Sequence, residues 1–542
     1  MELLREQCGA HQHYPKQLDL DSKNLNDYFA RLQARVSSLF CEPEDALLEV
    51  LDLEGGEREF ILRDAETFSE IQRLCPLPSN GATAESEASL RCRFIFLYGE
   101  NSRSKLYVTH DLVSYILTYH QVQPWFLDFL FAFGKQEVPQ DFRFSSFRRI
   151  HHNSSKLAIP KLGRSGQDYH MCYNLKSVER TSTNPHMPWS LRQTVVYHSY
   201  DTLKGQAFWI ILKGNDSLRG DLEQSVQKRQ SQGQDSYSTM GQSFAATIQI
   251  HLEICDWSMQ GWRWYINDLE SKLDQLTEHG VTFDIFGAKD PLRSLVPGSG
   301  ACQKLNYDKF FQFSNLQEAQ HVEEKASKAL LALKSNASNI DALKSHYTSA
   351  SSVQGNGYMV NPCLADFYAK LDEMSSELDM HQSALQALVR LVTDRKQLLF
   401  GILEYENMVA TRTFATKAQT SAENMEKLTK QTKRETVSMK VITLVTMFFL
   451  PATFISTLMS TDIIRWQLDN DGTFQKSVSW GAVRFFLALS LPLTFTTFIT
   501  WAIVYAVILY QERRQEKRLQ GYGKADVWYH PLPRMSWPID VS

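Results

Sequence analysis

Near the C-terminus the hydrophobic pattern is dominated by two long runs without a charged side chain. Val441–Met459 reads VITLVTMFFLPATFISTLM, and Phe485–Tyr510 reads FFLALSLPLTFTTFITWAIVYAVILY. At ~1.5 Å per residue, roughly 20 apolar residues cross the ~30 Å hydrocarbon layer, so each run is long enough to span it. Two buried core helices are the competing reading, and they suit uncharged runs of this length poorly. Each run contains one proline, Pro451 and Pro492, which membrane helices tolerate where neighbours satisfy the freed carbonyl. Trp466, Trp480 and Tyr510 fall near the run ends, where amphipathic rings favour the interface.

Upstream the pattern is that of a folded α/β domain. Asn24–Val50 has Tyr28, Leu32, Val36 and Leu39 on one stripe and predicts a helix. The polar stretch Pro78–Ser89 predicts a loop. Strands are expected at Cys92–Tyr98, Lys105–Thr109, Thr194–His198 and Ala207–Leu212, from their β-branched and aromatic content. Helices are expected between them at His110–Tyr119 and Gln123–Phe133. Ser217–Gly241, rich in Gln, Ser and Gly, is expected to be a mobile loop. Leu316–Tyr347 predicts a long helix, broken at Ser349–Pro362. From Leu364 a second helix is expected to run without interruption into the first apolar run. Leu385, Leu388, Val392, Leu399, Ile402 and Val409 follow a heptad spacing along it, imperfectly, with Arg395 and Glu406 on the same seam.

Basic residues orient the membrane pair. Lys427, Lys430, Lys433, Arg434 and Lys440 precede the first run, and Arg513, Arg514, Lys517 and Arg518 follow the second. The intervening loop holds only Arg465 and Lys476 against Asp462, Asp469 and Asp471; Arg484, at the start of the second run, is a small exception. The positive-inside rule places both termini in the cytoplasm, with the plasma membrane the expected location. The expected organisation is an α+β cytosolic domain (1–310), long stalk helices (311–440), a first transmembrane helix (441–459), an outer loop (460–480), a second transmembrane helix (483–510) and a cytosolic tail (511–542).

Composition narrows the function. A net charge of −4 over 542 residues gives no basic excess for a nucleic-acid partner. The eight cysteines lack CxxC spacing, which fits a reducing compartment better than a zinc site or a disulfide framework. The N-terminal MELLREQCGAHQHYPK has no signal-peptide-like apolar core, and the sequons at Asn153, Asn215 and Asn336 are then chance matches. No P-loop, HExxH, GxGxxG or Ser-His-Asp signature occurs, so no enzyme and no cofactor is expected. The basic stretch of Arg143, Arg148, Arg149, His151, His152, Lys156, Lys161 and Arg164 reads as a solvated loop before it reads as a lipid or nucleic-acid surface.

Met439, Ile442, Thr446, Leu450, Thr453, Thr457 and Ser460 recur every three or four residues and share one helical face. Spacing alone favours an ordinary role, in which Ser and Thr pack against neighbours or bond back to their own helix. Phe448, Phe449 and Phe454 lie off this face, towards lipid or the second span. One helix encloses no pore, so an ion path along this face requires several copies about an axis.

The segment MKVITLVTMFFLPATFISTLMSTD (Met439–Asp462) resembles the first membrane helix of CorA-type magnesium transporters, through its MKV start and the core of Pro451, Thr453, Phe454 and Ile455. PWSLRQTVVYHSYD (Pro188–Asp201) is similar to the N-terminal domain of fungal CorA-like proteins. The resemblance is strong over the C-terminal part and weaker before it. It implies a homopentameric funnel whose pore is lined by Met439, Ile442, Thr446, Leu450, Thr453, Thr457 and Ser460, with the second span outside, carrying divalent cations and above all Mg²⁺. At the outer mouth the family has Gly-Met-Asn, where this chain has Ser460, Thr461 and Asp462. A ring of Asp462 carboxylates would attract divalent cations and act as the metal-binding residue there. In the other reading Asp462 caps the helix and the mouth no longer selects, leaving a non-conducting sensor or assembly platform. Asp366, Asp372, Glu373, Glu377 and Asp379 offer a second place for a cytosolic magnesium sensor, with a solvated helix face the default.

Overall fold

A computed structural model of the chain describes residues 2–18, 24–54, 60–77, 90–100, 103–136, 143–154, 157–181, 188–213, 216–231, 237, 239–281, 313–353, 362–460, 464–468, 474–478 and 480–522. It divides into two compact units, Met1–Tyr405 and Glu406–Ser542.

Seven strands build the first unit: β1 (Leu48–Glu54), β2 (Ile61–Ala65), β3 (Leu90–Leu97), β4 (Phe147–Asn153), β5 (Gln167–Arg180), β6 (Trp189–Asp201) and β7 (Ala207–Lys213). They form one sheet in the order β2-β1-β3-β7-β6-β5-β4. The β3–β7 pair is parallel and the other pairs are antiparallel. Because successive side chains point to opposite faces, the strands feed two cores. Phe94, Phe96, Met171, Tyr173, Trp209 and Ile211 face one helical layer, while Ile95, Leu97, Cys172, Val195, Tyr197, Ile210 and Leu212 face the other. β7 is buried along its whole length, which explains its continuous AFWIIL run.

The Ile95 face is covered by α1 (Glu2–Gly9), α2 (Leu25–Leu39), α3 (Phe68–Leu74), α4 (His110–Tyr119) and α5 (Phe126–Leu130). The opposite face is covered by α6 (Asp216–Ser231), α7 (Met240–Met259), α8 (Trp262–Val281), α9 (Phe313–Val353) and the first part of α10 (Pro362–Met459). Leu385, Leu388, Val392, Leu399 and Ile402 of α10 are buried, as their heptad spacing predicts. Arg395 sits on that seam because Asp274 and Thr277 of α8 accept its hydrogen bonds.

Three sequence expectations are corrected. The helix expected over Asn24–Val50 ends at Leu39, since Pro43 opens a short 3-10 turn and β1 begins at Leu48. Lys105–Thr109 forms only a single bridge, Leu106 to Phe40. The polar stretch from Ser217 is not a loop as far as Ser231. It is α6, held by Leu218 and Leu222, one turn apart and buried, and by Arg219, which pairs with Glu223 and with Glu49 of β1.

β4 pairs with residues 167–173 of β5, so the rest of β5 lacks a strand on that side. α9 supplies the missing partners. The Lys176 N–H donates to Asn336 Oδ1 at 2.9 Å, Asn336 Nδ2 donates to the Lys176 carbonyl at 2.6 Å, and Asn339 Nδ2 donates to the Asn174 carbonyl at 2.6 Å. Asn336 is fully buried, so its sequon is not a glycan site.

Between sheet and helices lie three buried histidines: His198 on β6, His251 on α7 and His346 on α9. His251 Nδ1 is hydrogen-bonded to the Tyr173 hydroxyl and His198 Nδ1 to the Phe208 carbonyl. Among the described residues, the Nε2 atoms of both and both nitrogens of His346 lack a partner. Tyr169, Tyr347 and Trp209 surround the rings, and His151 stacks on His346. Burial, and then neighbouring positive charge (the histidines themselves and Arg149), pushes all three below the ordinary histidine range, His346 to about 3. In the unfolded chain these rings titrate near ~6.5. Above that pH both states are neutral and the cluster adds no pH dependence. Below it the unfolded chain takes up protons that the folded chain refuses. Stability is therefore expected to fall with decreasing pH, by up to about 1.4 kcal/mol per unit for each ring. Denaturant midpoints should drop steadily between neutral and mildly acidic pH; a flat profile there contradicts the assignment of three neutral rings.

Candidate functional site

The second unit carries the apolar runs on two helices, the remainder of α10 and α11 (Trp480–Tyr522). Only 12% and 0% of the residues in their apolar windows are buried within the chain. A core helix of a soluble protein would be mostly covered, so these two helices are candidates to cross a membrane. Between the helices, Ile464–Leu468 (β8) and Phe474–Val478 (β9) pair antiparallel, so the expected outer loop contains a β-hairpin. Its signal was in the sequence: two short strand-like segments flank Asp469-Asn470-Asp471-Gly472, a turn-forming set.

Pro451 is buried, Ile455 is 2% exposed and Ser490 of α11 is 6% exposed. Phe448 meets Phe498 of α11 edge-on, with centroids 6.3 Å apart. This side of α10 therefore faces α11. At 100° per residue the face from Met439 to Ser460 turns away from this contact, although its Leu450, Thr453 and Thr457 still border α11. All seven of its residues are exposed in the single chain, with Met439, Ile442 and Leu450 at 66%, 61% and 68%. An open groove of about 510 Å³ borders it, lined by Leu450, Pro451, Thr453, Phe454 and Thr457 with Leu493 and Thr497 of α11.

The threonines show how such a face offers oxygen. Thr446 Oγ1 donates to the Thr443 carbonyl at 2.9 Å, Thr453 Oγ1 to the Phe449 and Leu450 carbonyls at 2.9 and 3.0 Å, and Thr457 Oγ1 to the Phe454 carbonyl at 2.8 Å. Each hydroxyl proton is turned back into the helix. The oxygen keeps lone pairs directed outwards, the polarity that a hydrated cation requires. At the other end of the span, Lys440 lies over the Tyr505 ring at 5.6 Å, and Tyr505 stacks on Trp501 at 5.1 Å. A cation on an aromatic pair suits a membrane boundary.

Ser460 closes the face and is exposed. Thr461 and Asp462, expected at the outer mouth, lie outside the described residues. The stalk carboxylates are not gathered together: Asp366 pairs with Lys370, Asp372 with Lys344 and Glu377 with His381. That is the pattern of a solvated helix face. The basic stretch is no loop at its centre, since Arg148, Arg149, His151 and His152 lie on β4, and its charges are dispersed, with Arg148 paired to Asp128 and Arg164 donating to the Tyr119 carbonyl. Sequence reasoning missed a group that the sheet assembles, His152, Asp168 and His170. An Asp-x-His pair on one strand was its only local signal.

The model of CorA-like transporters matches residues 6–281, half of the chain. The chain belongs to the CorA-like transporter family. The match covers the α/β unit, whereas the stronger sequence resemblance lay in the membrane segment. PWSLRQTVVYHSYD falls within the match and contains the whole of β6. Membership makes this CorA-like chain a transporter rather than an enzyme. No curated protein matches it. Among solved structures it is similar to the ZntB cytoplasmic domain from Vibrio parahaemolyticus RIMD 2210633, at 10% identity and a TM-score of 0.31, over 65% of this chain and 97% of that one.

Proposed function

We propose that this CorA-like protein carries divalent metal cations, with Mg²⁺ the principal ion, through a homo-oligomeric pore lined by Met439, Ile442, Thr446, Leu450, Thr453, Thr457 and Ser460. One observation carries the proposal: Pro451 and Ile455 of α10 are buried and Phe448 meets Phe498 of α11, while all seven residues of the hydroxyl-bearing face are exposed. Copies arranged about an axis, a pentamer by resemblance to the family, would bring these faces together. Mg²⁺ gives up its water shell reluctantly, so rings of hydroxyl oxygen that hold the hydrated ion suit it better than a tight cage. Asp462 at the outer mouth then concentrates divalent cations. Both termini lie in the cytoplasm, on the charge distribution around the spans.

A second reading follows from Ser460-Thr461-Asp462 standing where the family has Gly-Met-Asn: the chain keeps the scaffold and acts as a sensor or assembly platform. Magnesium uptake by cells expressing the native chain, or a variant carrying Gly-Met-Asn at those positions, separates the two. Uptake by the native chain, with selectivity altered by Asp462→Ala, is the result expected here. Uptake only after the triplet is introduced would establish the platform instead.

A further inference from the structure

The β4–β5 register sets His152 directly opposite Asp168. His170 lies two residues further along β5 and shares the face of Asp168. The sheet thus holds two imidazoles and a carboxylate on one surface patch, each on a strand rather than a loop. His152 Nδ1 donates to Asp168 Oδ1 at 2.8 Å, and His170 Nε2 lies 3.3 Å from the same oxygen. The three ligand atoms all fall within 4.8 Å of one another.

Further features distinguish the group from an incidental ion pair. His170 is buried, and its remote Nδ1 is hydrogen-bonded at 2.7 Å to the buried Tyr197 hydroxyl, which in turn accepts from the Gln123 N–H at 3.1 Å. Metal-binding histidines are held in this way, with the second ring nitrogen fixed by an outer partner. On its open side the group lines a cavity of about 690 Å³, so water or a small anion has room to complete the coordination. Arg63, Arg73, Arg93 and Arg164 line the same cavity. Asp52 and Glu54 offset the first and third of these, and Arg164 lies against the Tyr119 ring.

We infer that His152, Asp168 and His170 form a binding site for a transition-metal dication of the Zn²⁺, Co²⁺ or Ni²⁺ kind in the N-terminal unit. Two imidazole nitrogens and one carboxylate oxygen suit these ions, whereas Mg²⁺ prefers an all-oxygen shell. On binding, each ring turns a lone pair to the metal in place of the N–H now directed at Asp168 and carries its single proton on the other nitrogen, which for His170 is Nδ1, beside the Tyr197 hydroxyl. The site shares no residue with the proposed pore face, and its occupancy is measurable without any transport assay.

The full-length protein, stripped of metal in detergent, is titrated with Co²⁺ and then Zn²⁺. The expected result is one Co²⁺ per chain with a visible ligand-field absorption band, displaced by equimolar Zn²⁺ and unaffected by excess Mg²⁺. His152→Ala and His170→Ala should abolish the band, and Tyr197→Phe should weaken affinity about 10–100-fold. Asp168→Asn preserves size and packing, so loss of the band there establishes the site even where a histidine variant fails to fold. Equal Co²⁺ binding by wild type and Asp168→Asn, or no band in the wild type, overturns the inference and leaves the group as an ion-paired sheet edge.

Discussion

Thr453→Trp is expected to reduce divalent-cation flux to that of protein-free liposomes. Thr453 sits mid-span on the uncovered face of α10, with Leu450 and Thr457 beside it. In a pore built from that face, each copy would add an indole at the same level, and the rings would close the lumen. The same substitution on a lipid-facing surface would cost little, because an aromatic side chain is at home in hydrocarbon. Phe495→Trp on α11, where Phe495 is 68% exposed, is the matching control and should conduct normally. Ion entry into proteoliposomes, followed with an encapsulated indicator, reads both. Unimpaired flux in Thr453→Trp would move the pathway off this face.

Asp52→Ala is expected to destabilise the N-terminal unit by about 3–5 kcal/mol. Asp52 on β1 stands opposite Arg93 on β3 and is fully buried. Arg93 donates to both carboxylate oxygens, at 2.6 and 2.7 Å, and Arg63 adds a bond at 2.9 Å. Removing the carboxylate strands a buried guanidinium, and it is this unpaired charge that makes the loss large. Adding Arg93→Met should recover much of it, since removing both partners is far cheaper than removing one. The buried Trp209, Trp257 and Trp262 provide a fluorescence signal for denaturant unfolding of both variants. A double variant no more stable than Asp52→Ala would contradict this account.

Much of the architecture could be read from the sequence wherever one period held over many residues. The membrane runs needed only length and the absence of charge. The long helix through Leu385, Val392 and Leu399 needed only its heptad spacing. β7 was legible because both its faces are buried, leaving one apolar run. Where structure depends on distant partners, local reading failed. β5 is a long strand whose polar members Asp168, His170, Asn174 and Lys176 are satisfied by β4, Tyr197, Phe144 and α9, none adjacent in sequence. α6 looked like a loop because its sequence is mostly polar around the buried Leu218 and Leu222, and its tie through Arg219 reaches Glu49 on a distant strand. The seven residues proposed to line the pore could be chosen from spacing alone, because helical periodicity decides which residues share a face. His152, Asp168 and His170 could not, because strand register decides that group, and register is set by the whole sheet.

Magnesium entry into liposomes containing the purified native chain, with Co²⁺ and Ni²⁺ as competitors, tests the central claim most directly. Protein-dependent Mg²⁺ entry, reduced by the competitors and abolished by Thr453→Trp, is the expected result. A folded, correctly assembled protein that passes no divalent cation under these conditions would contradict it.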